Sequence, residues 1–267
     1  MQRLIFVSAF CFLLSAFGQS FTRTTAFQGS AVKKTTGVTA PTPDILWWKM
    51  TEGAGTELTN VVGVRGFIDA DWVTGPSGSG YALEFNGSSD DARTSTAGST
   101  PSNLTFGTNI ITIVFRAWFD ATNVDQSIYE HNSSMWSGTS RVNVYIAGED
   151  GALVAAVRGT SGAYYLMEAI TAPNTGAWNH FVVVADNSST RGNFKFYVNA
   201  VEKTDEEWKA NKDTAAEYAA NPVYVGARNG GASLWFDGKL AGLAVYSGEL
   251  SQAQITALYN SYYLEGL

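Results

Sequence analysis

The sequence predicts an all-β protein, a two-sheet antiparallel β-sandwich with a short C-terminal helix. Three observations carry this. Short apolar runs recur along the chain between glycine-rich turns, more than ten of them from Ile45 onward. Several alternate with period two, so that one face is dry and the other wet. A helical pattern with a capping signal occurs only at the end, after Ser251.

The elements follow in order. Leu4–Phe17 is an apolar run behind Arg3, too short for a membrane span, with Ala16 and Gly18 at the −3 and −1 positions of a cut before Gln19. Residues 1–18 are therefore expected to be a signal peptide. Residues 19–43 are rich in Thr, Ser and Ala and end in Ala40-Pro41-Thr42-Pro43. They lack apolar periodicity and read as an arm or linker, with the domain spanning 44–267.

Ile45–Met50, Gly66–Trp72 and Tyr81–Phe85 are the first strands, the last running into the Asn86-Gly87 turn. Ile110–Phe119 is the most apolar. It places Ile111, Ile113, Phe115 and Ala117 on one face and Thr112, Val114, Arg116 and Trp118 on the other. Arg116 on such a strand requires a carboxylate or carbonyl partner. Gln126–His131, Arg141–Ala147, Ala152–Arg158, Tyr164–Ile170, Trp178–Asp186 and Asn193–Val201 continue the series. Thr204–Ala220 interrupts it and reads as an inserted loop with a helical turn. Val223–Gly226 and Leu234–Tyr246 resume the strands. Ser251 with Gln254 forms a capping box, and Ile255, Leu258 and Tyr259 lie at helical spacing to seat the closing helix.

Three pieces, in this order along the chain, make the pattern more specific. They are Ala82–Ser88; Trp178-Asn179-His180-Phe181 with Phe196–Asn199; and Phe236–Leu240 through Leu243–Tyr246 and the capped helix. Together they resemble the laminin-G-like, concanavalin-A-like lectin-glucanase jelly-roll superfamily. The resemblance implies two curved antiparallel sheets, with ligands often on the concave face or at the loop rim. Its members include lectins, adhesion modules, enzymes and virion proteins, so it does not fix a function. Two positions depart from the pattern. Ala241-Gly242 replaces an acidic pair that the family often carries. Asn199-Ala200 replaces a turn that usually ends in glycine.

Composition narrows the function classes. With 45% hydrophobic and 15% charged residues the chain can build a large core. A formal charge of −7 without a basic stripe argues against nucleic acid as partner. The only cysteine, Cys11, lies in the predicted signal, so the remaining chain has neither disulfide nor thiol chemistry. Export then places the protein outside the cell or on its surface, with no membrane insertion after cleavage.

Catalytic constellations are not visible. His180 belongs to the Trp-x-His strand pattern and reads as structural. Glu130 and His131 are adjacent on a strand and diverge. Closely spaced strand carboxylates for glycoside hydrolysis do not occur. Arg141, His131, Gln126 and Tyr197 form a conceivable lyase-like set that no motif supports. The chain is therefore read as a non-enzyme.

The binding candidates are aromatic. Trp136 in a polar loop, Trp208 in the insertion and Trp235 after a glycine-rich turn could stack on sugar rings; each could equally anchor its loop. Trp47, Trp48, Trp118 and Trp178 lie in strands and are expected in the core. Ser88-Ser89-Asp90-Asp91 offers oxygens for Ca²⁺, with Asp90 and Asp91 as ligands, against the alternative of a solvated acidic turn. The leading expectation is a secreted or surface-exposed, non-catalytic binding or adhesion module for carbohydrate or another surface macromolecule. A self-associating structural protein of a surface layer, filament or virion is the alternative, and a polysaccharide-cleaving enzyme a third.

Overall fold

The computed structural model describes residues 38–78, 80–95, 101–132, 141–159, 165–188, 194–204, 207–208, 217–228 and 230–261, with backbone alone at 165–169 and 207–208. The chain divides into Met1–Thr36 and the compact unit Gly37–Leu267, the sandwich. Its first residues were assigned to the arm by sequence, yet they pack on the domain. Ala40 lies against the Trp47 cluster, and the Pro41 carbonyl accepts a hydrogen bond from the Tyr246 hydroxyl at 3.3 Å.

Eighteen strands among the described residues form two antiparallel sheets. In chain order they are β1 (Leu46–Trp48), β2 (Glu57–Leu58), β3 (Asn60–Val62), β4 (Gly66–Asp69), β5 (Asp71–Thr74), β6 (Tyr81–Asn86), β7 (Asp91–Thr94), β8 (Ile110–Phe119) and β9 (Gln126–His131). There follow β10 (Val142–Ala147), β11 (Ala152–Arg158), β12 (Tyr165–Ile170), β13 (Trp178–Asp186), β14 (Phe194–Val198), β15 (Val201–Lys203), β16 (Glu207–Trp208), β17 (Val223–Val225) and β18 (Asp237–Ser247). The helix α1 (Gln252–Asn260) ends the described elements. Sheet A has the order β15-β14-β13-β8-β18-β1-β3, with β6 and then β5 added beside the first half of β18. Sheet B has the order β16-β12-β11-β10-β9-β17-β7-β4-β2.

The alternation read from β8 sets the layers. Ile111, Ile113, Phe115, Ala117 and Phe119 enter the core between the sheets, against Ile128, Val142 and Val144 of sheet B. Val114 faces the other way, into a second apolar cluster with Val182, Tyr246, Ile255 and Leu258, where α1 covers the outer face of sheet A. The predicted capping box forms: the Ser251 backbone N–H donates to Gln254 Oε1 at 2.9 Å, and the Gln254 N–H donates to Ser251 Oγ at 3.4 Å. Burying Ile255 and Leu258 contributes roughly 1.5–3 kcal/mol for each side chain, enough to seat a nine-residue helix too short to stand alone.

Both departures from the family pattern have local consequences. Gly242 lies at φ +67° where the β8–β18 register shifts, so the acid-less pair is a β-bulge in the longest strand. Asn199 and Ala200 both have positive φ, 52° and 64°, as a two-residue type I′ turn demands. The Thr204–Ala220 insertion contributes a strand, β16, at the edge of sheet B; its expected helical turn lies outside the described residues.

Candidate functional site

Two outer surfaces of the sandwich concentrate polar chemistry, one on each sheet. The first is a recess of about 460 Å³ on sheet A beside the C-terminal end of α1, within the volume range of small-molecule sites. Arg116, Trp178, His180, Asn199, Tyr259 and Asn260 line it. Arg116 finds the carbonyl partner its strand position required: Nη2 donates to the Tyr259 carbonyl at 3.2 Å, satisfying an orphan acceptor at the helix end. The type I′ turn fixes the opposite wall. Asn199 Oδ1 accepts from the His180 backbone N–H at 2.9 Å, while its Nδ2 donates to Asn179 Oδ1 at 2.9 Å.

His180 is the unusual member. It is 2% exposed, and neither ring nitrogen has a hydrogen-bond partner among the described residues. Burial first, and the Arg116 guanidinium second, push it down to about 3. The imidazole is neutral at ordinary pH, with one N–H to donate and one lone pair to accept. Trp178, expected in the core, is half-buried at the edge of this recess. Opposite it in the register, Trp118 is also half-buried, the rings 6.3 Å apart at 64°. Both lie on the outer face because they share the parity of Arg116 and His180, which the strand alternation already implied.

The second surface is the outer face of sheet B. Cross-strand register aligns Arg93, Tyr224, Glu130 and Asn143 in one row over β7, β17, β9 and β10. Glu130 and Asn143 are fully buried although they point away from the core. Arg141 and Arg158 stand side by side one turn of the pleat further along, joined by the Arg158 N–H to Arg141 carbonyl bond at 3.0 Å. Burial and Arg158 lower the Arg141 guanidinium, and Glu130 opposes them. Burial likewise lowers Arg228, with Glu130 again opposing. Arg93 approaches Asp91 at 3.4 Å and lies over the Phe67 ring at 5.3 Å.

The sequence-predicted residues disperse. Trp136 lies outside the described residues. Trp208 sits on β16, the edge of sheet B, and its side chain is not among those described. Trp235 is half-buried beside Leu234, whose carbonyl accepts from Ser127 of β9. Four strand spacings, roughly 19 Å, separate β16 from β9, so Trp208 and Trp235 do not form one platform. Of the lyase-like set, Arg141 is on the outer face of sheet B, His131 and Gln126 face the core beside Val142 and Ile146, and Tyr197 belongs to sheet A. They do not converge. Glu130 and His131 diverge as expected, His131 stacking on Phe106 at 3.8 Å.

Asp90 and Asp91 also separate. Asp90 lines a shallow recess with Asp69, Asp71 and Trp72, and its oxygens accept from the Asn86 N–H at 3.0 Å and Asn86 Nδ2 at 2.7 Å. Asp91 turns toward Arg93, and burial raises it to about 6. A carboxylate committed to closing its own turn and another beside a guanidinium do not fit a paired Ca²⁺ site. Among the described residues no group of three or more His, Cys, Asp or Glu side chains is placed to hold a metal.

Solved structures share the architecture. The botulinum neurotoxin serotype D binding domain superposes with a TM-score of 0.57 at 13% identity, over 82% of this chain and 51% of that one. Domain 4 of AbnA, a GH43 extracellular arabinanase from Geobacillus stearothermophilus solved with arabinotriose, gives 0.56 at 18% identity, over 82% of this chain and 100% of that one. Trypanosoma rangeli sialidase gives 0.56 at 15%, over 86% of this chain and 35% of that one. At these identities the likeness is one of fold. No curated protein matches the chain. A family model does: residues 86–256 match the concanavalin A-like lectin/glucanases superfamily, and the chain belongs to that family.

Proposed function

We propose that the protein is an exported, non-catalytic carbohydrate-binding module, and that the recess on sheet A receives one sugar unit of its ligand. The observation that carries this is His180, a buried neutral imidazole with no partner on either nitrogen, next to an aromatic ring and two asparagine amides. A sugar hydroxyl both donates and accepts, as do neutral imidazole and amide groups. The apolar C–H face of a pyranose or furanose matches the half-exposed indole of Trp178. Arg116 adds directional donors, and the adjoining Trp118 extends the aromatic wall.

Support comes from the lectin-type family and from a carbohydrate-bound domain among the structural neighbours. A non-catalytic role is supported by the recess, which has no carboxylate in its lining to act as acid, base or nucleophile. Export is supported by the Arg3-led apolar run Leu4–Phe17. A glycan array with the full chain tests the reading. Trp178→Ala should cost about tenfold or more in affinity with the melting temperature nearly unchanged, since a half-exposed indole carries stacking energy but little core. Binding that survives Trp178→Ala and His180→Ala together, both folded, overturns the assignment of the site.

A further inference from the structure

The geometry points to a second binding surface, for acidic polysaccharide, on the outer face of sheet B. Arg93, Arg141, Arg158 and Arg228 are its cationic groups, and Tyr145, Tyr224 and Asn143 its neutral ones. This goes beyond the sugar recess, which lies on the other sheet.

The first argument is charge distribution. The chain holds 24 acidic against 17 basic side chains, and four of its nine arginines collect on this one face. Basic residues elsewhere are matched to acids: Arg65 to Glu57 at 3.3 Å, Lys195 to Glu249 at 2.6 Å, Lys239 to Glu84 at 2.9 Å. On sheet B the acids are fewer than the arginines. Glu130 is shared electrostatically by Arg141 and Arg228, and Asp91 stands beside Arg93. An acidic protein would repel polyanions, except at such a locally cationic surface.

The second argument is energetic. Arg141 and Arg158 form a like-charged cross-strand pair, an arrangement that opposes folding. Arg158 is 5% exposed and Arg141 and Arg228 are half-buried, so each also carries a desolvation penalty. Apolar or neutral side chains would suit a structural face better, as Ala152, Val154 and Ala156 do on the neighbouring stretch of β11. Arrangements that oppose folding are found where a ligand compensates for them. An anion between Arg141 and Arg158 would turn their repulsion into attraction.

The third argument is shape. Guanidinium forks match planar carboxylate and sulfate oxygens in pairs, which a lysine ammonium does not. From Arg93 on β7 to Arg158 on β11 is four strand spacings, roughly 19 Å, a length suited to several units of a polymer. Tyr145 and Tyr224 sit between the arginines and offer rings and hydroxyls to the uncharged parts of the chain.

The full chain is tested by titration with polygalacturonate, dextran sulfate, neutral dextran and single-stranded DNA. The expected result is binding to polygalacturonate, dextran sulfate or both, the two arms telling carboxylate from sulfate, with affinity falling as salt rises. Arg141→Gln and Arg228→Gln should each weaken it about tenfold and flatten the salt dependence. Arg158→Lys, which keeps the charge and loses the fork, should weaken it less than Arg158→Gln. Trp178→Ala should leave polyanion binding intact, so the two surfaces fail or stand separately. Equal binding to neutral dextran, tighter binding to DNA than to either acidic polymer, or no change in the folded Arg141→Gln/Arg228→Gln double variant overturns the proposal.

Discussion

Acidification should unfold this protein through its two histidines, and the size of the effect follows from their burial. His131 is fully buried against Phe106 and Tyr218, and His180 is 2% exposed; burial pushes each down to about 3. In the unfolded chain both titrate near 6.5. A depressed folded pKa means that the unfolded state takes up protons first, so stability is complete above pH 6.5 and is lost as pH falls toward 3. Between pH 7 and pH 5 each histidine removes about 2 kcal/mol. Asp91 works in the opposite direction. Its carboxyl is raised to about 6, so the folded state gains a proton over the same interval and recovers about 1 kcal/mol. The net loss is about 3 kcal/mol, a large part of the stability of an ordinary domain. Urea unfolding followed by tryptophan fluorescence at pH 7 and pH 5 measures it. His131→Gln and His180→Gln should each abolish about 2 kcal/mol of the difference, whatever they do to absolute stability, and Asp91→Asn should enlarge it. A wild-type difference below about 1 kcal/mol, or an undiminished one in the double histidine variant, refutes the burial argument.

Other outcomes follow from local geometry. A Cβ at Gly238 would collide with the Trp118 carbonyl in the adjoining strand, so Gly238→Ala should lower stability by several kcal/mol or prevent folding, read by the yield of soluble protein and its melting curve. Ala200 holds φ +64°, so Ala200→Gly should raise stability by about 0.5–1 kcal/mol in denaturant titration; a loss of that size contradicts the turn assignment. Because Asp90 closes its own turn and Asp91 faces Arg93, millimolar Ca²⁺ and its chelation should both leave the melting temperature unchanged. A rise with Ca²⁺ that disappears in Asp90→Asn would restore a metal at that turn.

Period-two alternation carried most of the fold. It separated the two faces of β8 before any coordinates, and it demanded a partner for Arg116 that proved to be the Tyr259 carbonyl. The capping box at Ser251 was local and therefore legible. The tryptophans were harder, because a strand position does not say which face is covered. Trp48 and Trp178 look alike in sequence, yet Trp48 is fully buried and Trp178 is half-buried at a recess. The covering element for sheet A is α1, which shields Val114, Val182 and Tyr246 but ends at Tyr259 and Asn260. The recess exists where the helix stops, a property of helix length and docking that no single strand encodes.

The arginine surface was illegible for a different reason. Arg93, Arg141, Arg158 and Arg228 are scattered over more than half the chain and share no motif. They meet because the strand order β11-β10-β9-β17-β7 interleaves distant segments, and because the register pairs Tyr224 with both Arg93 and Glu130. A one-residue slip of β17 would turn Tyr224 inward and break that row. Register here is held by Val223 and Val225, both buried in the core on the opposite face. The polar face of sheet B is therefore specified by its apolar face. Stability variants at Val225 should change polyanion binding as well as the melting temperature, whereas core variants distant from sheet B should change only the latter.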